Sequence, residues 1–236
     1  MNISAIMAKK EFTQLLYNVA KIENLNVTFP QTQTILDGGI VNNVPVSEIE
    51  TIINLRDAWK YVINNYDNTL NLDYICKINS FVGRNQSYDW GVLRYRNVTI
   101  SGTEFEPKMP VAEEVTENIN KILQIVDPID RASEYFCFAT KNQLFWDGNK
   151  RTSMLIANKI LIDGDIGILS LKENKLEEFN TNLKEYYDTG NKEPLKETLK
   201  EAVVFKPNIK EKQRVPRNYL KESISSVEIE DDELEL

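Results

Sequence analysis

Five consecutive residues could do chemistry together: Asp147, Gly148, Asn149, Lys150 and Arg151, inside the stretch "KNQLFWDGNKRTSML" (141–155). Glycine and asparagine tolerate the tight backbone that turns several amide N–H groups outward. Amides at the start of a helix form a nest for an anion, and Lys150 and Arg151 add fixed positive charge to it. Asp147 is a hard oxygen ligand, suited to a magnesium ion already shared with the phosphates of a nucleotide. The bland reading of the same letters is a linker in which Asp147 caps the second helix and both cations are solvated. A catalytic base usually precedes such a turn, and Gln143 stands in that place. An amide does not accept a proton near neutral pH.

Composition narrows the chemistry further. The chain has 236 residues and no histidine. That excludes Ser-His and Cys-His catalysis, histidine acid/base work and histidine metal sites. A hydrophobic fraction of 42% supports a sizeable core. The net charge of −8 gives no electrostatic reason to expect nucleic acid as a partner. Cys76 and Cys137 sit in apolar segments and read as buried thiols of a reducing compartment. The start "MNISAIMAKKEF" has no apolar run of signal length, and no stretch approaches a membrane span. The expectation is a cytoplasmic protein without a membrane partner.

The turn needs helices on both sides. Apolar spacing predicts helices over 9–21, 48–65 (with Ser47 and Glu50 as a capping box), 71–82, 111–126 and 131–145, the last placing Gln143 on its apolar stripe. Another helix starts near Asn149 and ends by Gly164, the next is closed by Gly190, and "KEPLKETLKEAVVF" reads as a last one. Residues 26–46 carry Pro30, Gly38, Gly39 and Pro45 and read as a loop with short turns. "WGVLRYRNVTISG" (90–102) alternates branched and aromatic residues between glycines, the best hairpin candidate in the chain. Residues 1–205 are expected to form one domain. A charged C-terminal tail follows over 206–236, with six acidic residues in its last nine.

The stretch from Gln143 to Thr152 resembles the signature of the Fic/Doc (Fido) family: histidine, any residue, Phe, any residue, Asp or Glu, Gly, Asn, Gly or Lys, Arg. "NKRT" leans towards its Doc-like branch. The likeness extends over about residues 32–170, with 91–102 similar to the β-hairpin flap on which these proteins align a target. The resemblance implies a mostly α fold, a Fic-like helical bundle with one short β-hairpin flap. It implies transfer of AMP, or another phosphate-containing group, from ATP or another nucleotide to a protein hydroxyl. Asp147 would hold Mg2+. Gly148, Asn149 and Lys150 would cradle phosphates, and Arg151 would pair with phosphate oxygens. An unidentified protein target would dock along 91–102, and homo-oligomer formation stays open.

Three departures qualify the resemblance. Gln143 replaces the signature histidine, the base that takes the acceptor's proton; losing a positioned base costs about 10²–10⁴-fold in rate. A slow transferase is one outcome, with Gln143 orienting the hydroxyl and Asp147 or Asp89 standing in as base. The other is an inactive pseudo-Fic protein that binds nucleotide and acts by docking, as a regulator or toxin–antitoxin component. Met154 stands where many AMP-transferring members carry an arginine. The family's inhibitory pattern (Ser or Thr, three residues, Glu, then Gly or Asn) finds its nearest match in "TQTILDG", which nominates Asp37. Arg94 and Arg96 face either a ligand or solvent.

Overall fold

The protein is described by a computed structural model over residues 1–205; the tail expected over 206–236 lies outside the described residues. Ten α-helices and one two-stranded sheet make up the described chain: α1 (Ile3–Lys10), α2 (Phe12–Ile22), α3 (Phe29–Leu36), α4 (Val46–Asn64), α5 (Leu72–Val82), α6 (Ala112–Leu123), α7 (Pro128–Asn142), α8 (Asn149–Asp163), α9 (Leu176–Thr189) and α10 (Glu193–Glu201). β1 (Gly167–Leu169) pairs antiparallel with β2 (Val203–Phe205), Ile168 opposite Val204.

α8 is the axis of the fold. Nearly every side chain from Asn149 to Ile162 is buried, so this helix is enclosed on all sides rather than amphipathic. It packs against α7, α5, α4, α1 and β1. Leu155, Ile156, Leu161 and Ile162 are fully buried, each contributing about 1.5–3 kcal/mol through the area it hides from water. Because α8 is fixed along its length, its first turn is held in place for the site.

Local chemistry sets the neighbouring helix ends. Asp127 caps α7, accepting from the amides of Ile129 (2.7 Å) and Asp130 (2.9 Å), with Pro128 at the first helical position. Asn71 caps α5 through the amide of Tyr74 at 2.9 Å. α9 stops at Gly190, in the left-handed region at φ +82°.

The mostly α class agrees with the sequence, as does one small antiparallel sheet, but the strands lie elsewhere. Residues 90–102 contain no strand. Their alternation fails because Arg94 turns into the protein while Tyr95 and Arg96 are both exposed. The amides of 97–102 donate to no other backbone group among the described residues. The segment expected as a loop contains α3, which Thr28 caps with Gln31 in a reciprocal box, Pro30 sitting harmlessly in its first turn. α4 starts at Val46, so Ser47 lies inside the helix and does not cap it.

Candidate functional site

The turn between α7 and α8 is built by a short set of buried hydrogen bonds. Phe145 is 2% exposed and anchors it in the core. The side chain of Asn149 staples it: Oδ1 accepts from the Phe145 amide (2.9 Å), and Nδ2 donates to the Phe145 carbonyl (2.8 Å) and to Gln143 Oε1 (3.0 Å). From α5, Asn79 Nδ2 donates to the Asp147 carbonyl (3.0 Å) and Thr152 Oγ1 (3.2 Å), while its Oδ1 receives the Gly91 amide (2.9 Å). Gly148 is the N-cap of α8 at φ +72°, and a Cβ there would lie 2.6 Å from Val82 Cγ1. Glycine is therefore required twice, for its conformation and for its lack of volume. It provides no side-chain cap, so the first amides of α8 keep their donor capacity for another partner.

Charge gathers around that helix start. Arg151 is buried. It donates through Nη2 to Asp147 Oδ2 (2.8 Å) and through Nη1 to Gln86 Oε1 (2.7 Å) and the Val82 carbonyl (3.3 Å). Glu23, which follows α2, brings a carboxylate to the same place: Oε1 lies 3.7 Å from Lys150 Nζ and Oε2 3.8 Å from Arg151 Nε. Lys150 Nζ also donates to the Ile22 carbonyl at 3.2 Å. Arg151 Nε and Glu23 Oε1 are both buried and neither has a hydrogen-bond partner. Such orphans are costly and point to a missing partner.

A cleft of about 480 Å³ opens over this turn, a size suited to a small ligand. Its walls are Glu23, Thr99 to Gly102 of the exposed loop, Gln143, the turn from Trp146 to Lys150, and Asn180, Leu183, Lys184 and Tyr187 of α9. Burial pushes the Tyr187 hydroxyl well above its ordinary value, with Glu23 adding to the effect, so it is no base near neutral pH.

Gln143 is not on the stripe of α7. The helix ends at Asn142, and Gln143 is its C-cap in the left-handed region, φ 44° and ψ 63°. An uncommon conformation for a non-glycine residue is strained unless its surroundings fix it. Here Nε2 donates to the Thr140 carbonyl (2.7 Å) and Oε1 is taken by Asn149, so the amide lines the cleft in one orientation.

The predicted residues thus meet at one place, with changed duties. Gln143, Asp147, Gly148, Asn149 and Lys150 all line the cleft, and Arg151 lies beneath it. The Asn149 side chain is spent on the turn, leaving its backbone for an anion. Asp147 is partly exposed. Its Oδ2 holds Arg151, while Oδ1 accepts from no group among the described residues. No cluster of three or more metal-ligating side chains occurs among the described residues. Magnesium fits only as an ion shared between one carboxylate oxygen and a substrate's phosphates. Met154 is buried in the core, and Asp89 does not line the cleft.

Asp37 is answered by Gln33 Nε2 at 2.9 and 3.0 Å and is not part of the cleft. The acid at the cations is Glu23, which the sequence reading missed. Glu23 and Asn24 fit the last two places of the inhibitory pattern, but Val19 occupies the place of its Ser or Thr, so the stretch escaped notice.

Comparison with known proteins agrees with this fold. The family described as Fic/DOC matches residues 69–161. No curated protein matches in sequence. Among solved structures, Fic-1 (aa134 - 508) from C. elegans superposes with a TM-score of 0.71 at 20% identity, over 81% of this chain and 59% of that one. The chain therefore spans less than two thirds of that relative. A Fic domain containing signaling protein from Bacteroides thetaiotaomicron gives 0.70 at 16% identity, over 82% and 83%. BepC from Bartonella tribocorum, solved with bound AMPPNP, gives 0.50 at 14% identity, over 65% and 86%.

Proposed function

From a chain that carries a Fic/DOC-family domain, we propose a protein that binds a nucleoside triphosphate at the start of α8 and transfers AMP, or phosphate, slowly to a protein hydroxyl. The carrying observation is the buried orphan donor, Arg151 Nε, beside a helix N-terminus without a side-chain cap. A phosphate there would accept from the free amides, from Lys150 and from Arg151 Nε, satisfying donors that the protein leaves open. Glu23 already spends its negative charge on the same two cations. Nucleotide must displace it, so Glu23 sets the affinity.

In transfer, the acceptor oxygen bonds to the α-phosphorus as the bond to the pyrophosphate oxygen breaks, and the acceptor's proton leaves to bulk water. Lys150, Arg151 and the amides of α8 stabilise the phosphate charge and orient the in-line geometry, which carries much of phosphoryl chemistry. Asp147 would hold a magnesium ion, which would supply further neutralisation of that charge. Gln143 receives or donates a hydrogen bond at the acceptor hydroxyl but takes no proton. The unpaired amides of 97–102 offer an extended target segment a backbone edge. These assignments keep the chain in the cytoplasm and name a protein, not a nucleic acid, as partner.

A second reading is favoured by one observation, the Gln143 amide locked by Thr140 and Asn149 with no base beside it. There the protein binds nucleotide and docks a partner without chemistry. Labelled ATP with magnesium and a cell lysate separates the two. Label in protein supports transfer, whereas a nucleotide-dependent rise in Tm without label leaves docking. Absence of both refutes nucleotide binding.

A further inference from the structure

Arg94 is the most informative charged side chain outside the cleft. It is 1% exposed, and no carboxylate lies within ion-pair distance of it among the described residues. Its guanidinium instead meets five backbone carbonyls: Nε reaches Gln143 (2.5 Å), Nη1 Arg96 (2.7 Å), and Nη2 Lys108 (2.5 Å), Pro107 (3.1 Å) and Asn142 (3.3 Å). Its amide donates to the Leu144 carbonyl at 3.0 Å.

Two features of this arrangement bear on function. Asn142, Gln143 and Leu144 carry carbonyls that α7 cannot satisfy at its end, and a cation is the group that favours that end of a helix. Pro107 and Lys108 close the loop that begins at Arg94, so one planar fork ties both ends of the loop to the residue that lines the cleft. The far side of the loop has anchors of its own: Thr103 Oγ1 donates to Asp188 (2.5 Å), and Lys141 Nζ lies 4.7 Å from the centre of the Phe105 ring. None of Arg94's partners belongs to the phosphate turn, 147–151.

We infer that Arg94 is a positioning residue: it holds the acceptor-facing segment 97–102 at a fixed distance from Gln143, and it fixes Gln143 in its left-handed conformation. The inference rests on the reading in which that cleft takes a nucleotide and that loop receives a protein acceptor. It separates loop placement from nucleotide binding within one site. Lysine cannot replace the residue fully, because an ammonium has three donors and no planar fork.

The test uses the full chain and its Arg94→Gln and Arg94→Lys variants, followed by amide hydrogen exchange and by MgATP titration. In Arg94→Gln, the hydrogen-bonded amides of residue 94, Thr103, Phe105 and Phe145 exchange together, about tenfold faster or more, while those of α8 keep their protection. Arg94→Lys recovers part of the loss. MgATP affinity stays within about threefold of the parent in both variants, and any acceptor transfer falls. A Thr103→Val variant loosens the loop alone and leaves the Phe145 amide protected. Unchanged exchange at Phe145 in Arg94→Gln overturns the inference, as does loss of protection throughout α8. If Arg94→Gln does not fold, Arg94→Lys and the unaltered chain decide: in the latter, the bonded amides of Arg94 and Phe145 must open at one common rate, and independent opening overturns the coupling. Failure of the parent to bind MgATP refutes the nucleotide reading, while the exchange results still judge Arg94.

Discussion

Two mixed-charge clusters lie in this molecule, and they are finished to different degrees. Between α7 and α10, Glu134 is met at one oxygen by Lys192 and at the other by Lys196 (3.2 Å), and Asp130 by Lys200 (2.9 Å). At the start of α8, Glu23 stands 3.7 Å and 3.8 Å from Lys150 and Arg151, outside hydrogen-bond reach, with a buried orphan on each side. The first cluster glues two helices and is closed. The second is open, with no hydrogen bond between Glu23 and either cation. Here one buried donor, Arg151 Nε, and one buried acceptor, Glu23 Oε1, have no hydrogen-bond partner among the described residues.

The largest expected effect is at the edge of the open cluster. Gln143→His supplies the missing proton acceptor in a place already fixed by α7 and Asn149. If phosphate positioning is intact, label transfer from ATP to protein rises about 10²–10⁴-fold. A blank that stays blank, with MgATP still bound, removes transfer and keeps the docking reading.

Next comes Arg151→Met, which strands Asp147, Gln86 and the Val82 carbonyl. Breaking one side of a buried pair costs about 3–5 kcal/mol, and in a chain of this size that lowers Tm by roughly 10 °C. Nucleotide binding should vanish with it. An unchanged Tm would mean that the open cluster is solvated and the comparison is wrong. Smaller still is Glu23→Gln, which keeps the shape and removes the competing charge. MgATP should bind about tenfold tighter by calorimetric titration, whereas equal affinity would show that Glu23 is no competitor.

Much of the open cluster was legible because its residues are consecutive: the turn, its glycine and both helices follow from local spacing. What escaped was set by distance along the chain. Glu23 is remote in sequence, and nothing local distinguishes it from an ordinary residue at a helix end. The alternation around Arg94 read as a strand because periodicity cannot tell that a guanidinium will turn inward to cap α7. Gln143 fell off its expected stripe because the helix ends at Asn142, three residues short of 145, and Gln143 itself takes a left-handed step the sequence does not announce. β1 and β2 are three residues each and take their partners from far apart.

The smallest effect tests the closed cluster, and its sign is fixed by titration. Burial alone would raise the Glu134 carboxyl, but hydrogen bonds from Lys192 and then Lys196 outweigh it and hold the group below its ordinary value of 4.5. A folded value below the unfolded one gives stability that is complete above the unfolded value and lost as pH falls through the folded one. Glu134→Gln should therefore lower Tm only slightly, the cost staying near or below about 1 kcal/mol because the pair is partly solvated. The difference from the parent should be greatest above the ordinary value of 4.5 and shrink as pH falls below it. At those same acid values the parent's MgATP affinity gives the contrast. If the closed cluster alone governed both, the Glu134→Gln variant would lose nucleotide as well as stability. Unchanged MgATP affinity in that variant is what two independent clusters require.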